Sequence, residues 1–305
     1  MQFFHGKNLL GMPQVQGRVS GFFGDEPIAG GYIQKLFLFS FLGVLSFFEK
    51  KNYKNLFIFF FLFIQCNAAI MASNRMSLVL LIFTIIVLII FFSSLRKILI
   101  LSFITICISF YSLSAYFDRI STPLKAFAES VVKLEKNQEL EKDDSKNYMG
   151  FKFLNSTHGR VYASVIHSYK SNVLFGNGYK SFKKNCSPYK SNIYSENKKV
   201  IDAAIADGTQ IYRQFCSNHP HNYHLEVLHD TGIIGFMLMS IFVILTIIKK
   251  ITKMINRNDL NYIYYFTFLN FLVEVFPLKS TGSLFSTWSG TLAWLIISLS
   301  LYELK

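Results

Sequence analysis

The sequence predicts an all-α polytopic membrane protein with about seven transmembrane helices and one long outer loop. Three observations predict it. Hydrophobic residues make up 51% of the 305-residue chain, aromatic residues alone 17%, and mean hydropathy is positive. Several apolar runs approach ~20 residues, the length that carries a helix across a hydrocarbon core of ~30 Å. Only one long polar stretch, Asp118 to Thr231, separates them.

Along the chain, residues 1–30 form an outer segment, and spans at about 31–48, 55–72, 76–94 and 98–117 make a first helical part, 31–117. The long loop region, 118–231, follows, with amphipathic rather than spanning character. Spans at 232–249, 260–277 and 284–302 make up the last part, 232–305.

Orientation follows from the short loops. Lys50, Lys51 and Lys54 come after the first span, Arg96 and Lys97 after the third, and Lys249, Lys250, Lys253 and Arg257 after the fifth. Basic residues in short loops mark the cytoplasmic side, so residues 1–30, the tight turn Ala72 to Arg75 and the long loop face outward. Met1 is followed by no basic n-region and apolar h-region, which leaves two readings of an outward start. One is an N-terminally shortened piece of a larger protein; the other is a tolerated outward N-terminus.

The net charge of +13 comes mostly from lysine. Topology accounts for the cytoplasmic share, and an excess on the outer side suits an anionic ligand such as a lipid pyrophosphate. No basic patch interleaved with aromatics sits on a soluble domain, which argues against nucleic acid as a partner. Cys66 and Cys107 fall within spans as small apolar packing residues. Cys186 and Cys216 lie in the outer loop, where an oxidising compartment permits either a bridge closing the Ser187–Phe215 insertion or two free thiols.

Inside the loop, the mixed-sign run KLEKNQELEKDDSKN reads as a solvated helix or linker. From Gly159 to Val173, apolar Val161, Val165 and Ile166 with Tyr162 and Tyr169 predict one amphipathic helix. In LFGNGYKSF, Gly176 and Gly178 flank Asn177, a turn that admits positive backbone angles and either offers amides to a phosphate or simply reverses the chain. Four of the seven histidines then crowd into CSNHPHNYHLEVLHDTGIIGF, Cys216 to Phe236. Asn222 predicts the N-cap of a short helix, Tyr223–Asp230, that Gly232 ends.

The order of these pieces carries a resemblance. GRVSGFFGDEPIAGGYI (Gly17–Ile33) precedes a span and ASNRMSLV (Ala72–Val79) opens another. Then GRVYASVIHSYKSNVLFGNGYKSF leads on to NHPHNYHLEVLHDTGIIGF. From Gly17 onward the chain resembles the O-antigen ligase and O-antigen polymerase superfamily. The resemblance implies a GT-C-like glycosyltransferase in the bacterial inner membrane with a periplasmic catalytic loop. It would move a glycan from undecaprenyl pyrophosphate to a hydroxyl of a lipid A core, as a ligase, or of the next lipid-linked repeat, as a polymerase. It implies no cofactor, neither metal nor nucleotide sugar. Two departures stand out: family members carry further spans before GRVSGFFGDE, and the acidic residue before Thr-Gly, commonly Glu, is Asp230 here.

Such a transfer needs positive charge on the leaving pyrophosphate and a base for the acceptor proton. Arginine forms paired hydrogen bonds to phosphate, so Arg75 and Arg160 are the expected pyrophosphate residues, with Arg18 third. Each has a plainer role available: Arg75 as a snorkelling interfacial residue, Arg160 paired with a carboxylate such as Glu135, Arg18 neutralised by Asp25 and Glu26. His221 is the expected base, with His219, Asn222, Gly176 and Gly178 shaping the site. His224 and His229 are expected on the helix surface. A zinc site from His219, His221 and His224 with Glu226 or Asp230 is the alternative, although its spacing is not that of H-E-x-x-H. Two rivals stand beside the transferase: a transporter, which predicts ionisable residues or broken helices near mid-membrane, and a non-catalytic remnant.

Overall fold

A computed structural model describes residues 2–14, 19–23, 28–48, 50–117, 157–185, 217–256 and 261–302. The long helices among these are α1 (Ala29–Phe47), α2 (Lys54–Met71), α3 (Arg75–Phe91), α4 (Arg96–Tyr116), α5 (Thr157–Tyr169), α6 (Tyr223–Asn256), α7 (Tyr262–Glu274) and α8 (Thr287–Leu301). Short helical pieces lie at Gln2–His5, Ser93–Leu95 and Phe182–Asn185, and the described residues contain no β-strand. A helix therefore occupies each of the seven predicted spans. Four helical stretches, Ala29–Phe47, Lys54–Met71, Ser93–Tyr116 and Tyr223–Asn256, are long and apolar enough to cross a membrane; Arg75–Phe91 and Thr287–Leu301 are apolar but shorter.

The chain divides into two compact units. Unit 1 holds residues 1–129, 259–274 and 296–305, and unit 2 holds 130–258 and 275–295.

In unit 1, α1 packs on α2, α3 and α7, and α4 packs on α2 and α3. Lipid is as apolar as leucine, so helices associate through close packing rather than exclusion of water. The packing here is aromatic: the stacked rings of Phe37, Phe41 and Phe61 have centroids 5.9–6.0 Å apart, and Phe266 of α7 lies 5.5 Å from Phe41. The helix ends are satisfied locally. Asn74 Oδ1 accepts from the Ser77 amide at the start of α3, and the Arg96 guanidinium donates to the Ile89 and Ile90 carbonyls at its end. Gly30 lies so close to the α2–α3 turn that a Cβ there would come within 2.7 Å of Asn74 Cβ. Cys66 is buried in this bundle as expected, whereas Cys107 is exposed on α4.

Among the described residues, an ion pair crosses the bundle. Lys35 of α1 meets Glu274 of α7 at 2.7 Å, with side chains 8% and 1% exposed.

In unit 2, the amphipathic helix predicted at 159–173 is α5, which buries Val161 and Val165 against Phe182 and leaves Ile166 exposed. Helix α6 continues well past the predicted short helix and through the next predicted span, bending at Gly232. Beyond that bend its side chains Leu238, Leu245, Ile248 and Ile255 are exposed, the character of a lipid-facing surface.

Candidate functional site

Gly232 has φ 69° and ψ −170°, so the i→i−4 ladder of α6 breaks there. The turn after α5 repairs the break by exchange. The Asn177 and Gly178 amides donate to the freed carbonyls of His229 and Asp230, and the Ile233 and Ile234 amides donate to the carbonyls of Val173 and Leu174. Gly176 is forced by the same contact, since a Cβ on it would lie 2.4 Å from the Gly232 nitrogen. The amides at Gly176, Asn177 and Gly178 are thus taken by backbone carbonyls and do not offer themselves to a phosphate.

The exchange also buries His229, contrary to its expected place on the helix surface. Its ring is 0% exposed, because residues 177–182 cover that face of α6: Asn177 Nδ2 lies 3.4 Å from Nε2 and the Phe182 ring meets it edge-on. Its Nδ1 pairs with Asp230 Oδ1 at 2.8 Å, and Asp230 Oδ2 accepts from the Lys180 amide at 2.8 Å. This histidine and aspartate therefore fasten the turn to the helix. His224, half-buried, donates from Nε2 to the Val275 carbonyl at 2.8 Å.

Ahead of α6 the chain turns sharply at His221, which has φ 57°, a left-handed conformation uncommon outside glycine. Its carbonyl accepts from the Thr281 amide at 2.9 Å. Its ring lies 4.3 Å from that of His219 and 5.5 Å, edge-on, from that of His158 on α5. Burial, reinforced by the His219 and His158 imidazoles, holds His221 far below the usual histidine range, at about 3, with a main-chain bond to Thr281 opposing. Burial lowers His219 in the same sense, again against the Thr281 main chain. Both rings are neutral near pH 7. Burial pushes the nearby Tyr162 phenol up, and its bond to the Asn222 side chain pulls the other way.

Asn222 caps α6 as predicted, its Oδ1 accepting from the Leu225 amide at 3.1 Å. Its amide nitrogen does something the sequence does not announce: it donates to the carbonyls of Pro277 and Lys279, at 2.6 and 3.3 Å. Residues 275–286 form a clasp over the start of α6. Besides the bonds from Asn222, His224 and Thr281, Ser283 Oγ and the Leu284 amide both donate to the Glu226 carboxylate, which is 3% exposed. Lys279, 4% exposed, sits in the same clasp. Sequence reasoning passes over this clasp because PLKSTGSL reads as an ordinary polar loop between two spans; a buried Glu226 needing donors is the signal that would have found it.

Of the predicted site residues, His219, His221 and Asn222 come together in unit 2, where Gly176 and Gly178 shape the neighbouring turn. Arg75 belongs to unit 1, half-buried in the first turn of α3 directly after the Asn74 cap. Arg160 lies in the first turn of α5, with its side chain outside the described residues. Arg18, Cys186 and Cys216 also lie outside them, as do the charge run and the 187–215 insertion. Among the described residues, no group of three His, Cys, Asp or Glu side chains is placed to hold a metal ion.

Membrane-length apolar helices, with no strand among the described residues and a half-buried pair of imidazoles just ahead of one helix, define a multi-pass membrane protein with a polar site beside a span. The O-antigen ligase family matches residues 57–240, more than half of the chain, and the chain belongs to that family. No curated protein and no solved structure matches it. Membership supports an enzyme of glycan transfer at the level of the family.

Proposed function

We propose that the chain transfers a glycan from undecaprenyl pyrophosphate to an acceptor hydroxyl at the outer face of the bacterial inner membrane, as an O-antigen ligase or polymerase. Seven spans carry it, with the 118–231 region periplasmic. The observation that carries this reading is the neutral, half-buried His221 held in a left-handed turn immediately before Asn222, the cap of α6. Family membership supplies the reaction class.

The chemistry balances without a resident cofactor. The acceptor oxygen attacks the anomeric carbon of the donor glycan while the bond from that carbon to the phosphate oxygen breaks, its electron pair leaving with the pyrophosphate. His221 takes the hydroxyl proton. Arg75 and Arg160, with Arg18, stabilise the charge on the leaving group. Burial depresses His221, and an arriving dianionic donor raises its basicity by stabilising the imidazolium. The base is therefore strongest when the donor is bound.

The rival transporter predicts ionisable groups near mid-membrane. The Lys35–Glu274 pair lies instead near helix ends, Lys35 in the second turn of α1 and Glu274 as the last residue of α7. It also neutralises itself, which favours a structural role.

The test is reconstitution of the protein in vesicles with undecaprenyl-pyrophosphate glycan and either a lipid A core or a second lipid-linked repeat as acceptor. Arg75→Ala and Arg160→Ala should each lower transfer by at least about tenfold, the weight of one charged phosphate contact. Transfer untouched by both changes would remove the arginines from the reaction, and the acceptor that is consumed separates ligase from polymerase.

A further inference from the structure

The clasp at 275–286 lies outside the segment matched to the family, yet it supplies the main chain against which the imidazole cluster rests. Two of its surroundings are chemically unfinished. His219 Nε2 and Thr281 Oγ1 are fully buried polar atoms with no hydrogen-bond partner among the described residues. Leaving a buried polar atom without a partner is costly, so such atoms persist where something else meets them. Thr281 itself is 8% exposed, and its backbone amide is already committed to the His221 carbonyl at 2.9 Å. That bond fixes the Thr281 side chain beside the turn that carries His221. His219 is fixed from the other side, its ring centroid 4.3 Å from that of His221 and its carbonyl accepting from Ser217 Oγ.

We propose that Thr281 Oγ1 and His219 Nε2 bind the acceptor sugar and present its reacting hydroxyl to His221. The assignment rests on the transferase reading and adds to it the acceptor's place. In this arrangement the Thr281 hydroxyl donates to the reacting oxygen, whose proton goes to His221 and whose remaining lone pair attacks the anomeric carbon. His219 Nε2 meets a neighbouring sugar hydroxyl. A neutral pair of groups suits an uncharged hydroxyl better than a pyrophosphate, which calls for fixed positive charge; burial, which disfavours the charged form of both imidazoles, fits the same division of labour. Acceptor and donor are then recognised by different residues: the clasp takes one and the arginines the other.

The test uses Thr281→Val, which keeps the shape and removes the hydroxyl, in the vesicle assay with the acceptor that the unaltered protein consumes. The KM for acceptor should rise about tenfold, the loss of roughly one buried hydrogen bond, while the KM for donor moves by less than about twofold. Thr281→Ser should restore the acceptor KM. His219→Asn, read in the same assay, should also raise the acceptor KM selectively, and it serves where the valine variant fails to fold. An unchanged acceptor KM in a folded Thr281→Val protein, or an equal rise for donor, overturns the proposal. The transferase reading fails separately, on absence of transfer by the unaltered protein with either acceptor.

Discussion

Gly176 and Gly232 touch through their backbones, so closely that a Cβ on Gly232 would lie 2.5 Å from the Gly176 nitrogen and 2.2 Å from the Leu174 carbonyl oxygen. Both have positive φ. Two motifs more than fifty residues apart, LFGNG and HDTGIIG, are therefore one structure, in which each strand of backbone completes the hydrogen bonding of the other.

Gly232→Ala or Gly176→Ala should destabilise the protein by about 2–4 kcal/mol, combining left-handed strain with a backbone collision. Thermal unfolding in detergent checks it. A change of Gly178→Ala, where a Cβ meets nothing within 4 Å, should cost less, limited to the strain of φ 93°.

Asn222→Ala removes the cap of α6 and both donors to the clasp, an expected loss of about 2–3 kcal/mol. Asn222→Asp keeps the cap acceptor but not the amide donors to Pro277 and Lys279, so it should recover only part. Unfolding midpoints of the two variants compared with the unaltered protein decide this.

The Lys35–Glu274 pair makes an opposite kind of forecast. Removing one partner leaves a buried charge, so Lys35→Met or Glu274→Leu alone should cost about 3–5 kcal/mol, and the double change should cost much less than the sum. A double-mutant cycle on unfolding reads the difference.

The fold was legible where apolar runs are long: a helix stands in each expected span because only length and apolarity are needed to place one. The Asn222 cap and the amphipathic α5 were legible for similarly local reasons. What stayed hidden depends on pieces distant in sequence. His229 looks like a surface residue on its own helix until residues 177–182 cover it, and the clasp becomes visible only once Glu226 is seen buried against Ser283 and Leu284. Lys35 hides inside an apolar run because its partner is in another helix. At the site, sequence order picked out His221 but gave no sign of Thr281, which offers its backbone amide and a buried hydroxyl.

His221 also fixes a pH dependence. Its folded value is about 3, below the unfolded value of ~6.5, so between these limits the unfolded chain binds the extra proton. Stability therefore falls as pH drops from about 6.5 toward 3, by up to about 1.4 kcal/mol per pH unit from this one group, and this contribution to the pH dependence vanishes above that window. His219, lowered in the same direction, adds to the effect. Unfolding midpoints between pH 7 and pH 5 should decline, and the decline should be shallower in His221→Asn.

The proposed transfer turns on a proton passing to His221. The measurement that tests it most directly is glycan transfer from undecaprenyl pyrophosphate by folded His221→Ala protein in vesicles, with donor binding measured alongside. Loss of the base should lower transfer by about 10²–10⁴-fold while the donor still binds; transfer at the unaltered rate would contradict the proposed role of His221.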